Sequence, residues 1–347
     1  MDYIYKNLKK VSVGFVAFPC QCACKHCKGR GGGGAGEKLS TQKDVVPYSV
    51  AKDVVMRIWD WKREHNYKNM MITFGAADCE DFEGNFDMMH LVGNLYARYG
   101  ASFNGMRMRT PEELDVFFRK VSEAGYKTCY TTFYGTREFH DWFAGRPGDY
   151  DLMIHTVKAI AKYHMQNIHV LFVSKSTLPY LDEITAILEA IPGEKQLTYR
   201  PILNKSDVLT EESERFHKAE FYALPEKYRR SDMYRMKTRA EWLEHIRSPK
   251  FKEETKNYHL LHVGMRVEEM DLDKFYSTPM NTYMDELIEQ ELMRRMRTPT
   301  MPQLAEMYGQ RDIDSDLMYD LFDIHMEWKY YYRQEHPGID LFYGQMW

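Results

Sequence analysis

The chain has 347 residues, 44% of them hydrophobic and 28% charged, with a formal net charge of −4. That is enough chain for one large globular domain, or one plus an appendage, with an ordinary balance of core and surface residues. The charge argues against a nucleic-acid surface or an anionic-membrane surface, no apolar run reaches the roughly 18–20 residues of a membrane span, and "MDYIYKNLKK" lacks the apolar core of a signal peptide.

"VSVGFVAF" (11–18) is a short apolar, β-branched and aromatic run, read as a buried strand that stops at Pro19. From Tyr48 the period becomes helical, with Ala51, Val54, Val55, Ile58 and Trp59 on one face. "NMMITFGA" is a second strand, and Met88, Val92, Leu95 and Tyr96 mark a helix stopped by Gly100. After a very short strand in "ASFNG", Thr110 and Glu113 form a capping box around Pro111 at the first helical position. Leu114, Phe117, Phe118 and Val121 supply that helix's apolar stripe, and Gly125 ends it. "KTCYTTFYG", "IHVLFVSK" and "QLTYRPIL" read as three more strands, separated by helices in "DLMIHTVKAIAKY" and "LPYLDEITAILEAI". Such alternation of strand and helix predicts an α/β fold with parallel strands and right-handed crossovers, whose ligand sites lie at the C-terminal ends of the strands. Beyond Asn204 the alternation stops. The remainder is charged, aromatic and mostly helical, with "HLLHVGMRVEE" predicted as a small hairpin around Gly264.

The segment with the most chemistry is "FPCQCACKHCKGRGGGG" (18–34), which holds four of the six cysteines at the C-terminal end of the first strand. Without an export signal a cytoplasmic, reducing setting is expected, where clustered thiols bind metal more often than they form disulfides. A four-thiolate zinc site uses pairs set well apart, whereas Cys79 and Cys129 are isolated. Cys20, Cys24 and Cys27 have the spacing CxxxCxxC, and three thiolates on one loop leave a cluster's fourth iron open to a ligand. The glycine run lacks the lysine of a nucleotide-binding loop immediately after its last glycine, and reads instead as a flap.

CxxxCxxC directly after the first strand of a parallel α/β unit resembles the radical S-adenosylmethionine (SAM) superfamily. "SFNG", "TTFYGTREFHDWFAGRPGDYDLM" and "LFVSKSTLPYLDEI" are similar to the third, fourth and fifth strand regions of its peptide- and protein-modifying branch. The resemblance implies a partial (β/α)6 TIM-type barrel over residues 1–204, with a mostly helical extension, 205–347, closing the barrel and shaping the substrate pocket. It implies a 4Fe–4S cluster on Cys20, Cys24 and Cys27, with SAM on the open iron, cleaved reductively to a radical that takes a substrate hydrogen atom. The strand-two motif that holds SAM is matched by Gly75 and Ala76, with Ala77 where a glutamate is usual, leaving Asp78, Glu80 or backbone carbonyls as the substitute acceptor. Asn104 sits in the Asn-Gly turn after the third strand, and Thr132 and Tyr134 stand where the branch has a serine and an aspartate. Ser174, Arg146 (toward the SAM carboxylate) and His26 (stacking on adenine) complete the expected cofactor contacts, and Cys79 is a candidate hydrogen-atom donor. Cys22 reads as a bystander pointing off the cluster, and Cys129 as a structural thiol on the outward face of its strand.

No cysteine follows Cys129, so thiolates for the branch's auxiliary clusters are lacking, and a first strand near residue 11 leaves no room for a preceding leader-binding domain. The implied partners are a flavodoxin- or ferredoxin-type electron donor and a substrate, expected to be a ribosomal peptide that is epimerised or cross-linked. A small metabolite is the alternative substrate, and a non-catalytic metal- or cluster-binding protein the alternative class. Nucleic acid and membrane are not expected.

Overall fold

The structure, a computed structural model, describes residues 8–15, 21–25, 46–68, 70–76, 100–202, 211–229, 235–255 and 261–341. Seven strands run through them: β1 Leu8–Phe15, β2 Met71–Ala76, β3 Gly100–Ser102, β4 Thr128–Phe133, β5 Gln166–Val173, β6 Lys195–Pro201 and β7 Leu261–Arg266. They form two all-parallel sheets, ordered β2-β1-β7 and β3-β4-β5-β6. The expected α/β class is present; neighbouring strands follow chain order in the second sheet, whereas in the first β7 pairs with β1. Among the described residues no ladder joins β2 to β3 or β6 to β7, and the strands fall into two arcs, the first β2-β1-β7 and the second β3-β4-β5-β6.

The first arc is held by alternation. Val11 and Val13 point into one core with Val54, Val55 and Ile58 of the Tyr48–Glu64 helix. Trp61, not Trp59, completes that helix's buried face, because it stands two turns beyond Val54 and one turn beyond Ile58. Val263, Met265 and Val267 enter the same core from the far side, beside Met284 and Ile288 of the Met280–Arg297 helix. The expected hairpin around Gly264 is therefore a single strand. Apolar residues at 263 and 265 mark one face of a continuous strand, and the free edge of β1 supplies its ladder.

In the second arc, Cys129 packs outward against Leu114, Phe118 and Ile160, as expected, and burial pushes its thiol up to about 12. The capping box of the Pro111–Glu123 helix forms in full, Thr110 Oγ1 accepting from Glu113 N at 3.3 Å. Beneath the Asp149–Lys162 helix, the Thr131 hydroxyl donates to Asn167 Oδ1 (3.0 Å) and meets His169 Nδ1 at 2.8 Å. Burial lowers the His169 pKa from 6.5 to about 4. Between those two values the unfolded chain takes up a proton that the folded chain refuses. The stability present above pH 6.5 should therefore fall as pH drops through this window, by about 3 kcal/mol for this residue. Urea titrations from pH 7 to pH 4 check this: His169→Gln should remove close to one proton's worth of pH slope, and an unchanged slope would contradict it.

The C-terminal helices pack around the Leu321–Glu335 helix, which buries Asp323 and Glu327 against Arg215 (2.9 Å) and Arg239 (2.8 Å), with the Tyr319 ring 4.4 and 4.2 Å from the two guanidiniums. Among the described residues no helix is long and apolar enough to cross a membrane.

Candidate active site

Gln21–Lys25 of the cysteine loop lie on the C-terminal side of the second arc, clamped by alternate backbone N–H groups. Gln21 N donates to Gly105 O (2.8 Å), Ala23 N to Ala144 O (2.9 Å) and Lys25 N to Phe143 O (2.9 Å). The last two acceptors belong to the final turn of the Arg137–Ala144 helix, where carbonyls run out of partners within a helix. This short helix, which the sequence reading does not anticipate, thus ends in a docking edge for the loop. Gly145 makes the approach possible. Its φ is 66°, and a Cβ there would lie 2.7 Å from Ala23 O. Gly145→Ala should cost about 1–3 kcal/mol through the left-handed backbone and push the cysteine loop outward. Thermal melts and the rate of thiol alkylation in native buffer would register both effects.

Below the loop lies a buried polar platform. Tyr134 N donates to His140 Nδ1 (3.2 Å), so the ring proton sits on Nε2, which donates to Asp149 Oδ2 at 3.0 Å. Asp149 Oδ1 accepts from Arg146 Nε (3.1 Å) and Nη2, and Arg146 Nη1 reaches Met106 O at 2.5 Å. All three side chains are buried. Burial pushes the Asp149 carboxyl up, but His140 and Arg146 more than reverse this and hold it below the usual carboxylate range. Asp141 accepts from Gly148 N and Tyr150 N (2.6 and 2.7 Å) and so caps the next helix. The His-Asp pair and Gly-rich bend noted in the sequence are therefore structural: they brace the floor under the loop.

Arg146, expected to face the SAM carboxylate, is instead committed to Asp149 three residues on and to the Met106 carbonyl. The Cys22 sulfur lies 3.8 Å from Asp149 Oδ1, so its side chain points into the platform. Its contact with Cys24, its burial and the Asp149 charge all raise its pKa. Cys24 is the reverse. The Cys22 contact lowers its pKa most, burial opposes, and Tyr134, whose hydroxyl donates to the Cys24 sulfur at 3.5 Å, lowers it further. The Tyr134 ring stacks on Phe143 (4.4 Å) and Phe172 (5.8 Å).

Two rows of side chains share this face of the second arc. Asn104 spans the gap left where β3 ends, with Nδ2 donating to Thr132 O (3.0 Å) and Oδ1 accepting from Thr132 N (2.8 Å). Thr132 is in register with Val170 and Thr198, and Phe172 with Arg200. Ser174 closes a turn at the end of β5, its backbone N–H donating to Thr177 Oγ1 at 2.9 Å. Gly75 and Ala76 are the last residues of β2, paired with Gly14 and Phe15. Cys20, His26, Cys27, Ala77, Asp78, Cys79 and Glu80 lie outside the described residues, and among the described residues no three His, Cys, Asp or Glu side chains gather as metal ligands.

Sequence reasoning missed Arg200. It alternates with Tyr199, whose hydroxyl meets Thr185 Oγ1 on the helix side (3.0 Å), so Arg200 faces the other way, beside Phe172. Its Nε is buried and has no hydrogen-bond partner among the described residues. Nothing in the mixed polar and apolar pattern of β6 marks it out.

No family profile matches the chain, and no curated protein matches it. Three solved structures show a partial likeness: native anSMEcpe with bound AdoMet and Cp18Cys peptide, the same protein with bound AdoMet, and that protein with bound AdoMet and Kp18Cys peptide. Each is 10% identical over 94% of this chain and 97% of that chain, with TM-scores of 0.44, 0.44 and 0.45. Scores below 0.5 at this identity fall short of a shared fold, and the function is argued from the residues.

Proposed function

We propose that the chain is a radical SAM enzyme holding a single 4Fe–4S cluster on Cys20, Cys24 and Cys27, and that it modifies a peptide. The observation that carries the reading is Cys24. Its sulfur belongs to a CxxxCxxC loop, lies at the C-terminal side of parallel strands, and is held toward the thiolate by Tyr134 and Cys22. A thiolate stabilised by neighbouring donors, on a loop pinned by three backbone bonds, fits the demand of a cluster for deprotonated, fixed ligands. When bound, the cluster and SAM supply one-electron cleavage of the sulfonium and a radical able to take hydrogen from the substrate.

The chain's own residues position and shield. The platform of His140, Asp149 and Arg146 fixes the loop, and Cys24 packs against the apolar cluster of Tyr134, Phe143, Ala144 and Ile202, which excludes water from that side. The end of β2 at Gly75 and Ala76 offers backbone to the methionyl group, and Thr132 offers a hydroxyl. With Arg146 occupied, Arg200 is the cation on this face suited to a carboxylate, either that of SAM or one on the substrate. A flavodoxin- or ferredoxin-type donor would provide the electron, in the cytoplasm. The peptide preference rests on the likeness of the β4 segment to the peptide-modifying branch.

Electron paramagnetic resonance of the anaerobically reconstituted, dithionite-reduced protein tests the reading. A 4Fe–4S signal that shifts on adding SAM supports it. Zinc in place of a cluster, or a cluster signal indifferent to SAM, contradicts it.

A further inference from the structure

We propose that Tyr134 is a positioning residue for the electron-transfer step. Its hydroxyl donates a hydrogen bond to the Cys24 sulfur and makes a cluster held on that sulfur easier to reduce. The inference rests on the ligand role assigned to Cys24 above.

The geometry leaves this hydroxyl little choice. Tyr134 is the first residue after β4, is 4% exposed, and is fixed at its backbone by the bond from its N–H to His140 Nδ1. Its ring lies nearly parallel to Phe172 (3°) and stacks on Phe143 (26°), so both torsions are set by packing and the oxygen is delivered to the sulfur. The same backbone bond ties Tyr134 to the His140–Asp149–Arg146 platform that carries the loop, so donor and acceptor are held by one framework. Where the resembling branch has a carboxylate, this chain has a neutral donor with a longer reach.

A hydrogen bond to a thiolate ligand withdraws charge from the sulfur. It therefore favours the reduced cluster, which carries one more electron, over the oxidised one. The electron comes from the external donor, and the phenol proton stays on Tyr134 throughout. Loss of the bond should leave the cluster in place but harder to reduce.

The test is a redox titration of the reconstituted wild type and Tyr134→Phe, with dithionite and mediators, following the resonance of the reduced cluster. Tyr134→Phe should take up the same iron, with a reduction equilibrium about tenfold less favourable, a midpoint about 59 mV more negative for one electron. Because removal of a ring hydroxyl can also disturb packing, 3-fluorotyrosine installed at position 134 is the second variant. As a stronger donor of nearly the same shape, it should move the midpoint the opposite way. Midpoints that coincide for wild type and 3-fluorotyrosine, or a Tyr134→Phe midpoint equal to or above that of wild type, would overturn the inference while leaving the cluster assignment intact. A wild type that takes up no cluster would overturn both.

Discussion

Asp149→Ala should destabilise the protein by about 3–5 kcal/mol, a large share of the roughly 5–15 kcal/mol that holds a domain together. Asp149 is 2% exposed and is the shared acceptor for Arg146, His140 and Cys22. Its removal leaves a buried guanidinium without its counter-charge, and that uncompensated charge, rather than the lost attraction, accounts for most of the cost. Urea unfolding of the apo protein measures the effect directly. Arg146→Ala should be costly for the mirror reason, and the double variant should cost less than the two single costs added, because each single change strands the other partner. A loss under about 1 kcal/mol for Asp149→Ala would mean that the platform does not exist as described.

The second large effect concerns the adjacent thiols. Cys24→Ala should abolish iron uptake on anaerobic reconstitution, and with it any SAM-dependent signal. Cys22→Ala should keep the cluster and lose only about 1–2 kcal/mol of stability, as expected for a small buried group with one weak polar contact to a carboxylate. The two residues are two positions apart and differ in what surrounds their sulfurs. The Cys24 sulfur accepts from the Tyr134 hydroxyl, whereas the Cys22 sulfur faces the Asp149 carboxylate. Iron and sulfide content, with the near-ultraviolet absorption of the cluster, separate the two outcomes. Equal loss of iron in both variants would make Cys22 a ligand.

Local signals were the legible ones. The capping box at Thr110 and Glu113 depends on four consecutive residues, and the outward face of Cys129 on strand alternation alone. The hairpin expected at Gly264 fails because nothing local shows that the edge of β1, at the other end of the sequence, is waiting for a parallel partner. The platform was half legible. "HDWFAGRPGD" stood out as a motif, but whether Arg146 faces a ligand or Asp149 is decided by Gly145 and Gly148, whose positive φ values (66° and 79°) fold the bend back on itself. Arg200 was invisible for a different reason. Its significance is a buried nitrogen without an acceptor among the described residues, and that is a property of its surroundings rather than of the strand pattern.

The placement of β1 between β2 and β7 has a consequence for the order of events during synthesis. The strand that leads into the cysteine loop has one edge covered by residues made soon after it, and the other by Leu261–Arg266. Until the ribosome has released those later residues, that edge remains open, and closing it joins segments far apart in the chain, a slow kind of contact. The nascent protein thus carries the start of its cysteine loop on a half-paired strand until Leu261–Arg266 have been made. On the proposed reading, a cluster would find a firm base beside this strand only after that late pairing.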